Sequence, residues 1–105
     1  MNAQYSLKIG GGGMQTLSTA AVQLTTTATP CQMVVILGVS TNTAHAVVCN
    51  STAATATTGR IGIPVYAGST AIPVTVYCTD VSQVYVDGVS TEAVSYIYYA
   101  IGVPS

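Results

Sequence analysis

The sequence predicts an all-β protein: a single antiparallel β-sandwich, jelly-roll or Greek-key-like, led by an N-terminal extended arm. Three observations carry that expectation. Thr, Val, Ala and Ser dominate the 105 residues, and there is no Phe or Trp. β-Branched side chains favour pleated, half-buried surfaces, while the usual helix builders Glu, Lys and Leu are scarce. Apolar residues recur with a period of two in short runs, no segment sustains a 3.6 period, and turn residues separate the runs.

The elements follow in chain order. Residues 5–9 (Tyr5, Ser6, Leu7, Lys8, Ile9) alternate apolar and polar and read as a short strand. Gly10, Gly11, Gly12 and Gly13 follow. No Gly-Lys-Ser/Thr comes after them, so a phosphate-cradling loop is not indicated. A flexible hinge is the expected role. That divides the chain into an arm, residues 1–13, and a β-sandwich domain, residues 14–105. Such an arm could pair with a sheet edge on a neighbour. Residues 20–24 form the next strand, and Thr25 to Pro30 turn the chain. Residues 31–39 are the strongest apolar run. Cys31, Met33, Val35 and Leu37 share one face and Val34 and Ile36 the other, so a central strand covered on both sides is expected.

Ser40, Thr41, Asn42 and Thr43 read as a turn, which makes a hairpin of residues 31–39 with the strand 45–49. Residues 50–58 are a loop of small residues. Residues 60–66 contain Gly62 and Pro64 and read as an edge strand or an extended segment at best. Ala67 to Thr70 turn. Residues 72–79 alternate cleanly, Asp80, Val81 and Ser82 bend the chain, and residues 83–86 form another strand. Asp87-Gly88 is a hairpin signal. Residues 93–101 are the last strand, with Val94, Tyr96 and Tyr98 on one face and Ser95, Ile97 and Tyr99 on the other.

Charge is the most unusual quantity. Lys8, Arg60, Asp80, Asp87 and Glu92 are the only charged residues, 5% of the chain, while half of the chain is hydrophobic. A free domain carries roughly 25% charge. Such a chain has little with which to keep its surface apart from its neighbours, so much of that surface is expected to be covered by other protein. One Lys and one Arg give no footprint for nucleic acid. No apolar run reaches the length of a spanning helix, so no membrane is expected. The start lacks a basic segment followed by an apolar run, so no secretory signal is expected.

The candidates for chemistry are few. His45 is the only His, and any nucleophilic triad would have to use it. Asp80, Asp87 and Glu92 fall in turns, and their contexts are turn chemistry more than paired catalytic carboxylates. No enzyme activity, cofactor or metal is expected. Cys31, Cys49 and Cys78 are odd in number and lack a CxxC spacing. Small buried thiols are the main reading. One disulfide with a spare thiol, or a Cys-His site with His45, are the alternatives. The seven tyrosines concentrate late in the chain. They either fill a core that lacks Phe and Trp or meet a partner, because the ring is both apolar and hydrogen-bonding. Tyr98 and Tyr99 are adjacent and point to opposite faces. The candidate protein-interface residues are Tyr5, Leu7 and Ile9 in the arm with Tyr77, Tyr85, Tyr98 and Tyr99 in the domain.

Several segments resemble a small β-domain recurrent in structural proteins of tailed bacteriophages. They are residues 21–24, 30–36 and 40–43 in the first half, and 63–68, 74–76, 80–88 and 94–99 in the second. The likeness covers roughly residues 17–100 and is a pattern of strand and turn residues without a catalytic motif. The loop 50–58 is richer in Ala and Thr than that pattern, and the glycine-bearing arm lies outside it. The resemblance implies a virion structural protein made in the host cytoplasm, of the capsid decoration (cement) type. Its partners would be the major capsid protein or other virion proteins, and it would form a homo-oligomer, trimer or dimer. A tail, neck or fibre-associated β-module is the alternative from the same class. A host-surface glycan-binding module using Tyr77, Tyr85 and Tyr98 is the alternative from another.

Overall fold

Among the described residues, eight strands, every neighbouring pair antiparallel, make two four-stranded sheets. The computed structural model describes residues 6–18, 20–39, 45–51, 62–66 and 71–102. The strands are β1 (Ser6–Thr16), β2 (Val22–Gln23), β3 (Met33–Gly38), β4 (Ala46–Cys49), β5 (Ile63–Val65), β6 (Val74–Tyr77), β7 (Tyr85–Asp87) and β8 (Ala93–Gly102), and Val81–Gln83 form a 3-10 turn. One sheet runs β1-β8-β3-β6 and the other β2-β7-β4-β5. That is the strand order of an eight-stranded jelly roll. No helix among the described residues is long and apolar enough to cross a membrane.

The chain crosses between sheets after nearly every strand, and only β4 and β5 are neighbours in both sequence and sheet. Two expected hairpins are therefore corrected. β3 pairs with β6 and β8 while β4 pairs with β5 and β7, so residues 31–39 and 45–49 lie in opposite sheets. Asp87-Gly88 likewise leads from β7 in one sheet to β8 in the other. Gly88 answers a different demand: a Cβ there would come 2.6 Å from Leu17 Cδ1 and 3.2 Å from Ala46 Cβ. The crossing is closed instead by the Glu92 N–H donating to the Val89 carbonyl at 3.1 Å, with Thr91 at φ 77° in the left-handed region.

β1 corrects a third expectation. The four glycines lie inside a strand that pairs with β8 from Ser6 to Thr16, so the boundary expected after Gly13 falls within an edge strand of the sandwich. Close approach explains the glycines. A Cβ at Gly10 would sit 2.6 Å from Tyr98 Cε2, one at Gly11 2.7 Å from Tyr98 Oη, and one at Gly13 3.0 Å from Tyr96 Oη. The two rings lie against a backbone stripped of side chains, the packing by which an aromatic compensates for strand glycine. A bulge between Ile9 and Gly11 absorbs one extra residue.

The core between the sheets is small and rich in Val. Leu24, Val34, Ile36, Val65, Val81, Val84, Val86 and Val94 are its largest fully enclosed members, and Tyr96 and Tyr98 pack against it from β8. Each such side chain contributes about 1.5–3 kcal/mol on burial, and the two tyrosines supply the bulk that Phe or Trp would give elsewhere. Coverage on both faces was expected of β3 and belongs to β4. Ala46, Val47 and Val48 are all buried, whereas β3 buries only Val34, Ile36 and Gly38 and leaves Met33, Val35 and Leu37 partly open. The expected turns 40–43 and 67–70, most of the loop 50–58, Arg60 and Tyr5 lie outside the described residues.

Candidate interaction face

Strand alternation and register give the open side of the β1-β8-β3-β6 sheet a defined lattice. Ile9, Tyr99, Met33 and Tyr77 stand opposite one another across its four strands. Gly12, Ile97, Val35 and Thr75 form the next row, and Met14, Ser95 and Leu37 the one after. Several members reach solvent: Ile9 is 62%, Met14 64%, Ile97 42% and Tyr77 80% exposed. A groove of about 320 Å³ runs through the face, lined by Val35, Leu37, Pro73, Ser95, Tyr96, Ile97 and Tyr99. Ser95 is its one small polar side chain, and its hydroxyl turns to the Leu37 carbonyl at 3.4 Å.

None of the charged residues stands in those rows. Lys8 is exposed but pairs with Ala100, on the opposite side of the strand from Ile9 before the bulge. Asp87 is buried in β7. Asp80 is committed to a corner. Its carboxylate accepts from the Thr29 N–H at 3.0 Å, from the Ser82 N–H at 2.9 Å and from the Ser82 hydroxyl at 2.7 Å. The Ser82 hydroxyl above all, then the Thr29 and Ser82 amides, hold that carboxyl below the usual carboxylate range. Gln83 Oε1 accepts from the Thr79 N–H at 3.1 Å, and Gln23 Nε2 donates to the Ser82 carbonyl at 2.8 Å, completing the corner.

The interface candidates from the sequence divide. Ile9, Tyr77 and Tyr99 come together in the first row, and Leu7 stands opposite Ile101 farther along β1. Tyr85 lies in the other sheet, paired with Gln23 and Cys49. Tyr98 turns inward over Gly10 and Gly11, as its adjacency to Tyr99 requires. Tyr5 lies outside the described residues. Met14, Met33, Val35, Leu37, Pro73 and Ile97 belong to the face but not to that set. For Met33, Val35 and Leu37 the signal was available: residues 31–39 carry no polar face at all, so the side of that strand away from the core had to be apolar.

Among the described residues, the remaining titratable groups form no convergent set. The His45 and Tyr66 rings lie 5.3 Å apart and tilted. No group of three or more His, Cys, Asp or Glu that could hold a metal ion occurs among the described residues. Cys31 and Cys78 approach each other at the ends of β3 and β6, Sγ to Sγ 3.5 Å, and burial, the contact with Cys78 and the charge of Asp80 push the Cys31 thiol up to about 12. No family model, no curated protein and no solved structure matches the chain.

Proposed function

We propose that the protein is a virion structural protein, a capsid decoration module that binds a phage head through the open side of the β1-β8-β3-β6 sheet. The observation that carries this reading is that face: four strands wide, lined by Ile9, Met14, Met33, Val35, Leu37, Tyr77, Ile97 and Tyr99, with no charge in its rows. An apolar patch of that kind marks a protein contact. The absence of charge lowers the desolvation cost of covering it. A standard interface takes about 800 Å² from each partner. Symmetric copies repeated over a shell sum such contacts into mechanical resistance.

Jelly rolls occur in viral capsids and also in lectins, so the fold alone does not choose. The glycan-binding alternative needs Tyr77, Tyr85 and Tyr98 on one platform, and they stand on different surfaces. The test is re-binding of the purified chain to phage particles stripped of it, together with its copy number per particle. Decoration requires copies on the order of hundreds; a tail or neck component occurs in far fewer. Tyr77→Asp and Ile97→Asp are expected to fold normally and to bind at least about tenfold more weakly, a loss of roughly 1.4 kcal/mol or more. Tyr85→Gln, on the other sheet, is expected to bind as the parent does. Undiminished binding by both aspartate variants would remove the face from the reading.

A further inference from the structure

We propose that Cys31 and Cys78 form a reversible disulfide that fastens β6 to β3 when the protein meets a disulfide oxidant. The two thiols lie 3.5 Å apart and come from segments 47 residues apart in the chain. They are held there by backbone pairing: the Cys31 N–H donates to the Thr79 carbonyl and the Cys78 N–H to the Gln32 carbonyl. A disulfide needs about 2.05 Å between the sulfurs. The bond therefore requires rotation of the two side chains to close a remaining gap of about 1.5 Å. Both are free thiols here, and Cys49 is the third.

Access sets the order of events. Cys31 is buried, while Cys78 is partly exposed and lines a cavity of about 340 Å³ with Cys49, Asn50, Val76, Tyr77 and Gln83. Cys78 as thiolate attacks one sulfur of a small disulfide such as oxidised glutathione. The glutathione S–S bond breaks, and one glutathione leaves with the electron pair and takes up a proton. Cys31 then gives up its proton and attacks Cys78 Sγ, the mixed disulfide breaks, and the second glutathione leaves as thiol. The protein loses two electrons and two protons, and one oxidised glutathione becomes two reduced ones. The burial that suppresses the Cys31 thiolate keeps it from acting first.

The bond would join the edge strand carrying Tyr77 to the central strand carrying Met33 and Val35. An oxidising compartment would therefore set the apolar face in place, and a reducing one would leave it held by packing and hydrogen bonds alone.

The experiment treats the folded full chain with oxidised glutathione, blocks remaining thiols and maps the peptides without reduction. Cys31 joined to Cys78, with Cys49 still alkylated, is the expected product. Cys49→Ser should form the same bond, and Cys31→Ser and Cys78→Ser should not. Oxidation should raise Tm by on the order of 10 °C, reversibly with dithiothreitol. Three results would overturn the proposal: a bond that includes Cys49, a glutathione adduct that stalls on Cys78, or thiols that stay reduced while circular dichroism shows the chain folded.

Discussion

Val35 and Val47 are the same residue on central strands of opposite sheets, each pointing away from the core, and they meet opposite fates. Val47 is fully buried, in register with Asp87 and Pro64, and Asp87 is buried beside it. Val35 is partly open, in register with the exposed Ile97 and with Thr75. The side of the β2-β7-β4-β5 sheet away from the core mixes Gln23, Tyr85, Cys49, Val47, Asp87 and Pro64. The corresponding side of the β1-β8-β3-β6 sheet is almost wholly apolar. A sandwich needs one apolar face per sheet to fold. This chain carries a second on one sheet and does not cover it at Ile9, Met14, Tyr77 or Ile97. The proposed association would give that surface a use that the core does not.

The sharpest way to break the comparison is to cut the same strand on its two sides. Ile36 faces the core and is fully buried, and its neighbour Leu37 faces the groove and is only partly covered. Ile36→Ala is expected to cost about 2–5 kcal/mol in urea unfolding. Leu37→Ala is expected to cost less, about 1–2 kcal/mol, because Leu37 stays partly exposed in the folded chain and loses less burial than Ile36. Equal losses would mean that the open face is part of the fold's own stability, and the argument for a partner would lose its footing.

A smaller effect tests how the face acquires its outermost strand. Gly11→Ala sets a methyl 2.7 Å from Tyr98 Oη and 3.0 Å from its Cζ. The ring must shift against the core, at about 1–3 kcal/mol. Replacing Tyr98 by Val removes the obstacle. The double variant Gly11→Ala/Tyr98→Val should therefore be more stable than the sum of the single changes allows, by at least about 0.5 kcal/mol. Additive losses would mean that the glycine serves backbone freedom rather than ring packing. β1 would then be less firmly tied to β8, and Ile9 and Met14 less dependable members of the face.

Most of the strands were legible because period-two alternation and turn residues act locally. All eight observed strands overlap an expected one, and Gly62 and Pro64 correctly marked β5 as an edge. The partners were not legible. In a jelly roll, successive strands cross between sheets, and local turn chemistry such as Asp87-Gly88 does not record whether the chain returns to the same sheet or the opposite one. The glycine run was misread for a related reason. Four consecutive glycines look alike whether they free the backbone or admit a ring, and the rings of Tyr96 and Tyr98 come from more than 80 residues downstream. The site was half legible: low charge and a β3 apolar on both sides pointed to apolar surface beyond the core, but only register brought Ile9, Tyr99, Met33 and Tyr77 into one row.

The smallest expected effect lies at the corner that passes the chain from one sheet to the other. Asp80 bridges to Pro30 beside the start of β3, caps the 3-10 turn that leads to β7, and takes its hydrogen bonds from Thr29 on one side and Ser82 on the other. Its carboxyl is held below the ordinary range by the Ser82 hydroxyl and the Thr29 and Ser82 amides, so its folded-state pKa lies under its unfolded one, about 3.9. Its contribution is therefore complete above the unfolded value and disappears as pH falls through the folded value. Asp80→Asn keeps a capping oxygen but no charge. It should melt a few degrees below the parent at neutral pH. The gap should narrow as pH drops below about 4, because the parent then loses the ionised acceptor that the variant never had. Thermal melts of the two chains across that window decide it. A gap that stays constant down to the lowest pH would show that the corner is held by its backbone geometry and not by the charge, and that the two sheets keep their relation without it.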